Sequence, residues 1–299
     1  MTSDRLVAAV RRFNRTVTQR VGALDDAYMA RGRPLAQARV LWEIGPGGSE
    51  VAALRARLGL DSGHLSRLLR TLEHDGLVTV GPSDQVGGDG RVRVATLTDA
   101  GRAEWSELDR RSDEFASSIL APLSARRRER LVAAMAEVER LLVASMVVIA
   151  PCPPGDPRAR ACTRAYAREV ARRFDDGFDP SRSNPVHDED LVPPAGLFLL
   201  ATLNGEAVGC GAVKLHRDAP AEIKRVWVAD TVRGLGVGRR MLGELERHAA
   251  ARGWTAVRLD TNRNLTEAIA MYRAAGYREI EPYNTEHYAH HWFEKHLTP

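Results

Sequence analysis

The stretch DTVRGLGVGRRML, residues 230–242, constrains this chain more than any other. Glycines fall at 234, 236 and 238, two arginines follow at once, and the apolar spacing of a helix begins. Glycine disfavours helix, so three of them at a helix start need a reason other than helix stability. The residues before them, EIKRVWV at 222–228, have strand character. Those after, 238–252, have helical period with Met241, Leu242 and Leu245 inward. A strand, a glycine turn and a helix start together make an anion site. Amides of the first helical turn have no intrahelical partner, and the positive end of the helix dipole lies there. Two common phosphate loops are excluded. No Gly-Lys-Ser/Thr follows, and GLGVG neither completes G-x-G-x-x-G nor follows the first strand of a βαβ unit.

This segment comes late in a chain of 299 residues, long enough for two domains. Charge is nearly even along it: 22 basic and 19 acidic residues up to residue 150, then 21 and 20. Any nucleic-acid contact must therefore come from local placement of charge rather than from bulk basicity. The longest apolar run, LLVASMVVIAPC at 141–152, is far short of the roughly 20 residues that cross a bilayer. MTSDRLVAAVRRFNR has no apolar core of a signal peptide. Cys152, Cys162 and Cys210 are odd in number and follow no metal spacing, so a reducing cytoplasm is the expected compartment.

Residues 3–30 and 35–45 have helical patterns, and two short helical patterns in 49–74 meet at Gly59-Leu60-Asp61. An apolar strand, a glycine-rich tip at 81–90 and a returning strand at 91–98 follow. Thr98 and Ser124 stand where they can cap two further helices. Beyond about residue 145 the pattern changes to strands, with Asn204-Gly205 as a two-residue hairpin turn. The boundary puts one domain at 1–144 and a second at 146–299.

In the 62–74 helix, Leu65, Leu68, Leu69 and Leu72 make one buried face. Ser62, His64, Ser66, Arg67 and Arg70 lie outward or on the flank, small and polar as a major-groove helix requires. Arg91 follows the glycine-rich tip, where a minor-groove contact would fall. Together with LEHDGLV at 72–78, DGRVRVATLT at 89–98 and LTDAG at 97–101, these residues resemble the MarR family of transcription regulators over 3–144. The resemblance implies a mainly α, α+β winged helix, a homodimer interlocked by the first and last helices of the domain, and a double-stranded DNA operator.

In the second half, Arg233, Gly236 and Gly238 form R-x-x-G-x-G. With AVRLDTNRNLTEAIAMYRAAGYREI at 256–280 they resemble the GNAT acetyltransferases over 146–299. The resemblance implies an α/β fold with a mixed, mostly antiparallel sheet and acetyl-CoA as co-substrate. It assigns the pyrophosphate to Arg233, Gly234, Leu235, Gly236, Val237, Gly238 and Arg239, the pantetheine arm to the main chain of Val226 and Val228, and a further cofactor contact to Asn264. The family's asparagine stands seven residues before the tyrosine. Leu265 occupies that place here, and Asn262 competes with Asn264. Tyr272 is the implied general acid, and Glu222, at the start of the strand beside the thioester, is the candidate base.

His287, His290 and His291 do not make a metal set, because adjacent histidines on a strand point opposite ways and no Cys or Asp completes them. The acidic loop HDEDL, 187–191, would either attract a cationic amine or, as charged loops more often do, simply be solvated. The expected protein is therefore a two-domain regulator and N-acetyltransferase whose acceptor is a primary amine on a small molecule or a protein. The alternative is a regulator whose second domain senses acyl-CoA without catalysis.

Overall fold

Leucines at 65, 69 and 72 recur on one side of their helix, and that period builds the first of two cores. The computed structural model describes residues 3–21, 32–82 and 92–297, and divides into compact units 1–133 and 134–299. The division falls inside a helix, Ala125–Met146, upstream of the boundary near 145 expected from the sequence. Among the described residues, no helix is long and apolar enough to cross a membrane.

The first unit runs α1 (Ser3–Arg20), α2 (Leu35–Ile44), β1 (Ser49–Glu50), α3 (Val51–Leu58), α4 (Ser62–His74), β2 (Val78–Pro82), β3 (Arg93–Leu97) and α5 (Asp99–Leu120), and continues into α6 (Ala125–Met146). Gly59 closes α3 in the left-handed region at φ 62°. Asp61 then caps α4, accepting from the His64 amide at 2.8 Å. The strands form an antiparallel sheet in the order β1-β3-β2. Thr98 caps α5 through the Gly101 amide at 3.0 Å. The expected first helix, 3–30, is described as Ser3–Arg20; residues 22–31 lie outside the described residues. So do residues 83–90 of the glycine-rich tip and Arg91.

In the second unit, β4 (Val148–Pro151) and α7 (Pro157–Arg173) precede β5 (Gly196–Leu203), β6 (Glu206–Lys214) and β7 (Ala221–Val228). Then come α8 (Val237–Ala250), β8 (Ala256–Thr261), α9 (Thr266–Ala274), β9 (Arg278–Ile280) and β10 (His291–His296). Strand order is β4-β5-β6-β7-β8-β10-β9, antiparallel throughout except for the β7–β8 pair. Both faces are buried. Leu197, Leu199 and Ala201 face the core that holds Met241, Leu242 and Leu245 of α8, whereas Phe198 and Leu200 face Ala159 and Cys162 of α7. The β5–β6 hairpin turns at Asn204 (φ 52°) and Gly205 (φ 83°), the two positive angles its two-residue turn needs. Strand β10 inserts between β8 and β9, a placement the sequence did not foresee. Among its residues only Phe293 is buried, so its alternation is too weak to announce a strand.

Candidate active site

Strands β7 and β8 run parallel but pair only at Ala221–Val257 and Glu222–Arg258. Beyond that point they part, so the main chain of β7 from Ile223 to Val228 faces no neighbouring strand on the β8 side. On its other side the β6–β7 register slips between Cys210 and Ala212, opposite a left-handed Arg225 (φ 55°). A bulge shifts side-chain parity by one. Ile223 lies in the α8 core before it, and Val226 and Val228 return to that core after it.

The glycine turn sits at the open end of this gap. Gly234 and Gly236 have φ of 73° and 75°, a region that side chains with Cβ rarely adopt, and Gly236 is the residue from which α8 starts. No side-chain cap occupies the helix start, so its first amides have no capping side chain. Gly238 sits close to α9: a Cβ there would lie 3.1 Å from Met271 Sδ, so that side chain would have to shift slightly. Arg239 stands exposed on the first turn with no ion-pair partner among the described residues. Arg233 is placed differently from expectation. Its guanidinium is ion-paired to Glu169 and Asp230, and its Nε donates to the Val228 carbonyl at 3.1 Å. It braces the turn against α7 and the end of β7 rather than reaching outward. Arg240 donates to the carbonyls of Ala144 and Val147 at 2.8 and 2.9 Å.

A cavity of about 360 Å³ opens where β7 and β8 part. Tyr272 of α9 lines it. The residue is buried, its ring packs 5.9 Å from Tyr277 and 6.1 Å from Phe293, and its hydroxyl has no partner among the described residues. Burial pushes its pKa up, so the phenol is a protonated donor at neutral pH. Tyr166 of α7 also lines the cavity, and burial lifts its pKa to about 12.

Glu222, the candidate base, is placed away from the cavity. It lies at the closed, paired end of β7, off the cavity wall, and its carboxylate is saturated. Lys224 Nζ is 3.0 Å from Oε1, the Tyr283 hydroxyl donates to Oε1 at 3.0 Å, and His216 Nε2 is 3.1 Å from Oε2. Burial works to raise its pKa, but the Lys224 charge and these hydrogen bonds outweigh burial and hold it below the usual carboxylate range. Such a group is a weak base. The carboxylate that does line the cavity is Asp260 of β8. Its Oδ1 accepts from Lys224 at 2.6 Å, Tyr283 at 3.2 Å and Asn284 at 3.1 Å, while Oδ2 has no partner among the described residues.

Asn264 is turned away from the cavity, its Nδ2 donating to the Arg173 carbonyl at 2.9 Å and to Asp175 at 3.0 Å. Asn262, the competing candidate, is buried and lines the cavity, and its Nδ2 donates to the Tyr288 carbonyl at 2.8 Å. In HDEDL, Asp188 pairs with Arg160 at 2.5 Å and Asp190 with Lys214 at 3.0 Å, so those charges are already neutralised. The sequence reading missed Glu169, Lys224, Arg225 and Asp260 as site residues. One signal was available for Asp260: a carboxylate next to Leu259 in a strand with the apolar residues Ala256, Val257 and Leu259 needs a partner.

The gap between parted strands, the uncapped glycine turn and exposed Arg239 fit a phosphate-bearing thioester with an extended, amide-containing arm. Residues 163–277 match the model of the Acetyltransferase (GNAT) family. An IAA acetyltransferase of Azospirillum brasilense is 37% identical over 106 residues, covering 35% of this chain and 69% of the relative. An uncharacterized N-acetyltransferase of Schizosaccharomyces pombe is 32% identical over 107 residues, covering 35% of this chain and 64% of that protein. Among solved structures, a GNAT-family acetyltransferase from Staphylococcus aureus Mu50 aligns with a TM-score of 0.45 at 15% identity, covering 51% of this chain and 99% of that one. With this extent of likeness joined to the geometry of the cleft, the chain belongs to the GNAT acetyltransferase family and uses acetyl-CoA as its co-substrate.

Proposed function

We propose that this protein is both an N-acetyltransferase, moving acetyl from acetyl-CoA to a primary amine, and a DNA-binding transcription regulator. The observation that carries the first reading is the parting of β7 and β8 beside the uncapped start of α8, with the Tyr272 hydroxyl unpartnered in the same cavity. The amides from Leu235 to Arg239 hold the pyrophosphate, assisted by Arg239, and Arg233 keeps the turn in shape. The open edge at Val226 and Val228 takes the pantetheine arm as an added strand. Asn262 takes the cofactor contact first assigned to Asn264. Tyr272 gives its proton to the departing thiolate. The amine loses its proton to Asp260, with Glu222 and Lys224 fixing that carboxylate. Transfer is direct, within one ternary complex.

The test is CoA release with a panel of primary amines, alongside calorimetric titration of acetyl-CoA. Turnover supports the enzyme. Binding without turnover on any amine supports an acyl-CoA sensor instead.

The regulator reading rests on the first unit, which we infer to be a MarR-type winged helix. Helix α4 buries Leu65, Leu69 and Leu72 and leaves Ser62, Ser66, Arg67 and Arg70 exposed, with His64 half-buried. An antiparallel β2–β3 pair follows it. Leu6, Val10, Phe13 and Val17 form an exposed stripe along α1, each 40% exposed or more, as an interlocking dimer helix requires. DNA binding is tested on a fragment upstream of its own gene. Affinity falls steeply with salt, and Arg67→Ala or Arg70→Ala relaxes specificity. Salt-insensitive or absent binding leaves the first unit as a dimerisation module.

A further inference from the structure

Arg225 differs from the paired cations near it, and from exposed Arg239 by being half-buried. Lys224 pairs with Asp260 and Glu222, Arg173 with Glu267 at 2.6 Å, and Arg233 with Glu169 and Asp230. Arg225 is half-buried in the cavity wall, yet no carboxylate is within ion-pair distance of it among the described residues. One guanidinium nitrogen donates to the Val186 carbonyl at 3.0 Å, which leaves most of its donors open. Its backbone is also held left-handed, at φ 55°, on the bulge of β7. Bulges beside active sites re-aim side chains, and such strain persists where the surroundings enforce it. A partly desolvated guanidinium without an anion is unfavourable, and its planar fork matches a carboxylate.

The same cavity has an aromatic wall. Phe174, Phe178 and Tyr288 pack at centroid distances of 6.0, 5.5 and 5.1 Å. Rings tilted against one another in this way offer an aromatic, largely apolar wall for edge-to-face contact.

We propose that the acceptor is a small amine bearing both a carboxylate, gripped by Arg225, and an aromatic body, seated on Phe174, Phe178 and Tyr288. This rests on the acetyltransferase reading above and narrows its substrate class. It also places Arg225 as a residue that determines specificity.

The experiment compares L-phenylalanine with phenethylamine, and L-tyrosine with tyramine, as acceptors for the full-length protein. Each pair differs by the carboxylate alone. The expected result is a kcat/KM ratio favouring the carboxylate-bearing member by on the order of tenfold or more. In Arg225→Gln that ratio shrinks several-fold through KM for the amino acid, and Arg225→Lys restores part of it as a one-point contact. Calorimetric binding of acetyl-CoA to each variant reports that the cofactor site is intact. A preference for the decarboxylated amines, or a ratio unchanged in Arg225→Gln, overturns the assignment. If other primary amines react and neither pair does, the assignment falls while acetyltransfer stands. If no amine reacts at all, both fall.

Discussion

Tyr272 and Glu222 are both buried, but one hydroxyl lacks a partner and the other residue's carboxylate has several. Tyr272→Phe removes the proton donor and little packing. Its kcat is expected to fall about 10²- to 10⁴-fold with KM for acetyl-CoA nearly unchanged, measured by steady-state CoA release. Because burial raises the Tyr272 pKa, kcat should show no alkaline loss from this group below about pH 10. Glu222 acts on stability. Its folded pKa is depressed, so its contribution is full above the usual carboxylate range and is lost as pH falls through the folded value. Glu222→Gln should therefore flatten the acid limb of a stability–pH profile taken by chemical unfolding, while lowering stability at neutral pH. Tyr272 was legible in the sequence because a motif of short range carries it. The Glu222–Lys224–Asp260–Tyr283 group was not, since it joins residues that are adjacent only after β7, β8 and the segment before β10 have met. Arg225 shared that fate: a bulge is set by register between strands, not by any local pattern.

Among the elements, those with local chemistry were read closely. Thr98 caps α5, the Asn204-Gly205 hairpin turns as expected, and α8 starts at Val237, one residue from its expected position. Strand β10 gave no such sign, because one buried phenylalanine does not make a period. Two glycines test the elements they join. Gly236→Ala forces a side chain into the left-handed region and should raise KM for acetyl-CoA more than it alters kcat, as the helix-start amides shift. Gly101→Ala tests packing in the first unit, where a Cβ would lie 1.9 Å from the Leu77 carbonyl oxygen. It should lower stability by about 1–3 kcal/mol in thermal unfolding.

For the whole molecule, two compact units imply two energetic responses. Acetyl-CoA at about 100 times its Kd should stabilise the unit that binds it by about 2.7 kcal/mol and leave the other's unfolding transition in place, as calorimetry with and without ligand would report. The α1 stripe makes a separate prediction. On the proposed dimer reading, Val10→Glu with Phe13→Glu should give a monomer where the unsubstituted protein sediments as a dimer. One last consequence comes from the way β7 and β8 separate. A slot whose jaws are peptide groups grips through atoms that every residue carries. At Val226 and Val228, exchanges that keep the packing would leave the proposed grip on the acyl donor intact. The rim carrying Phe174, Phe178 and Tyr288 has no such insulation, so selection for a new acceptor would be written there first.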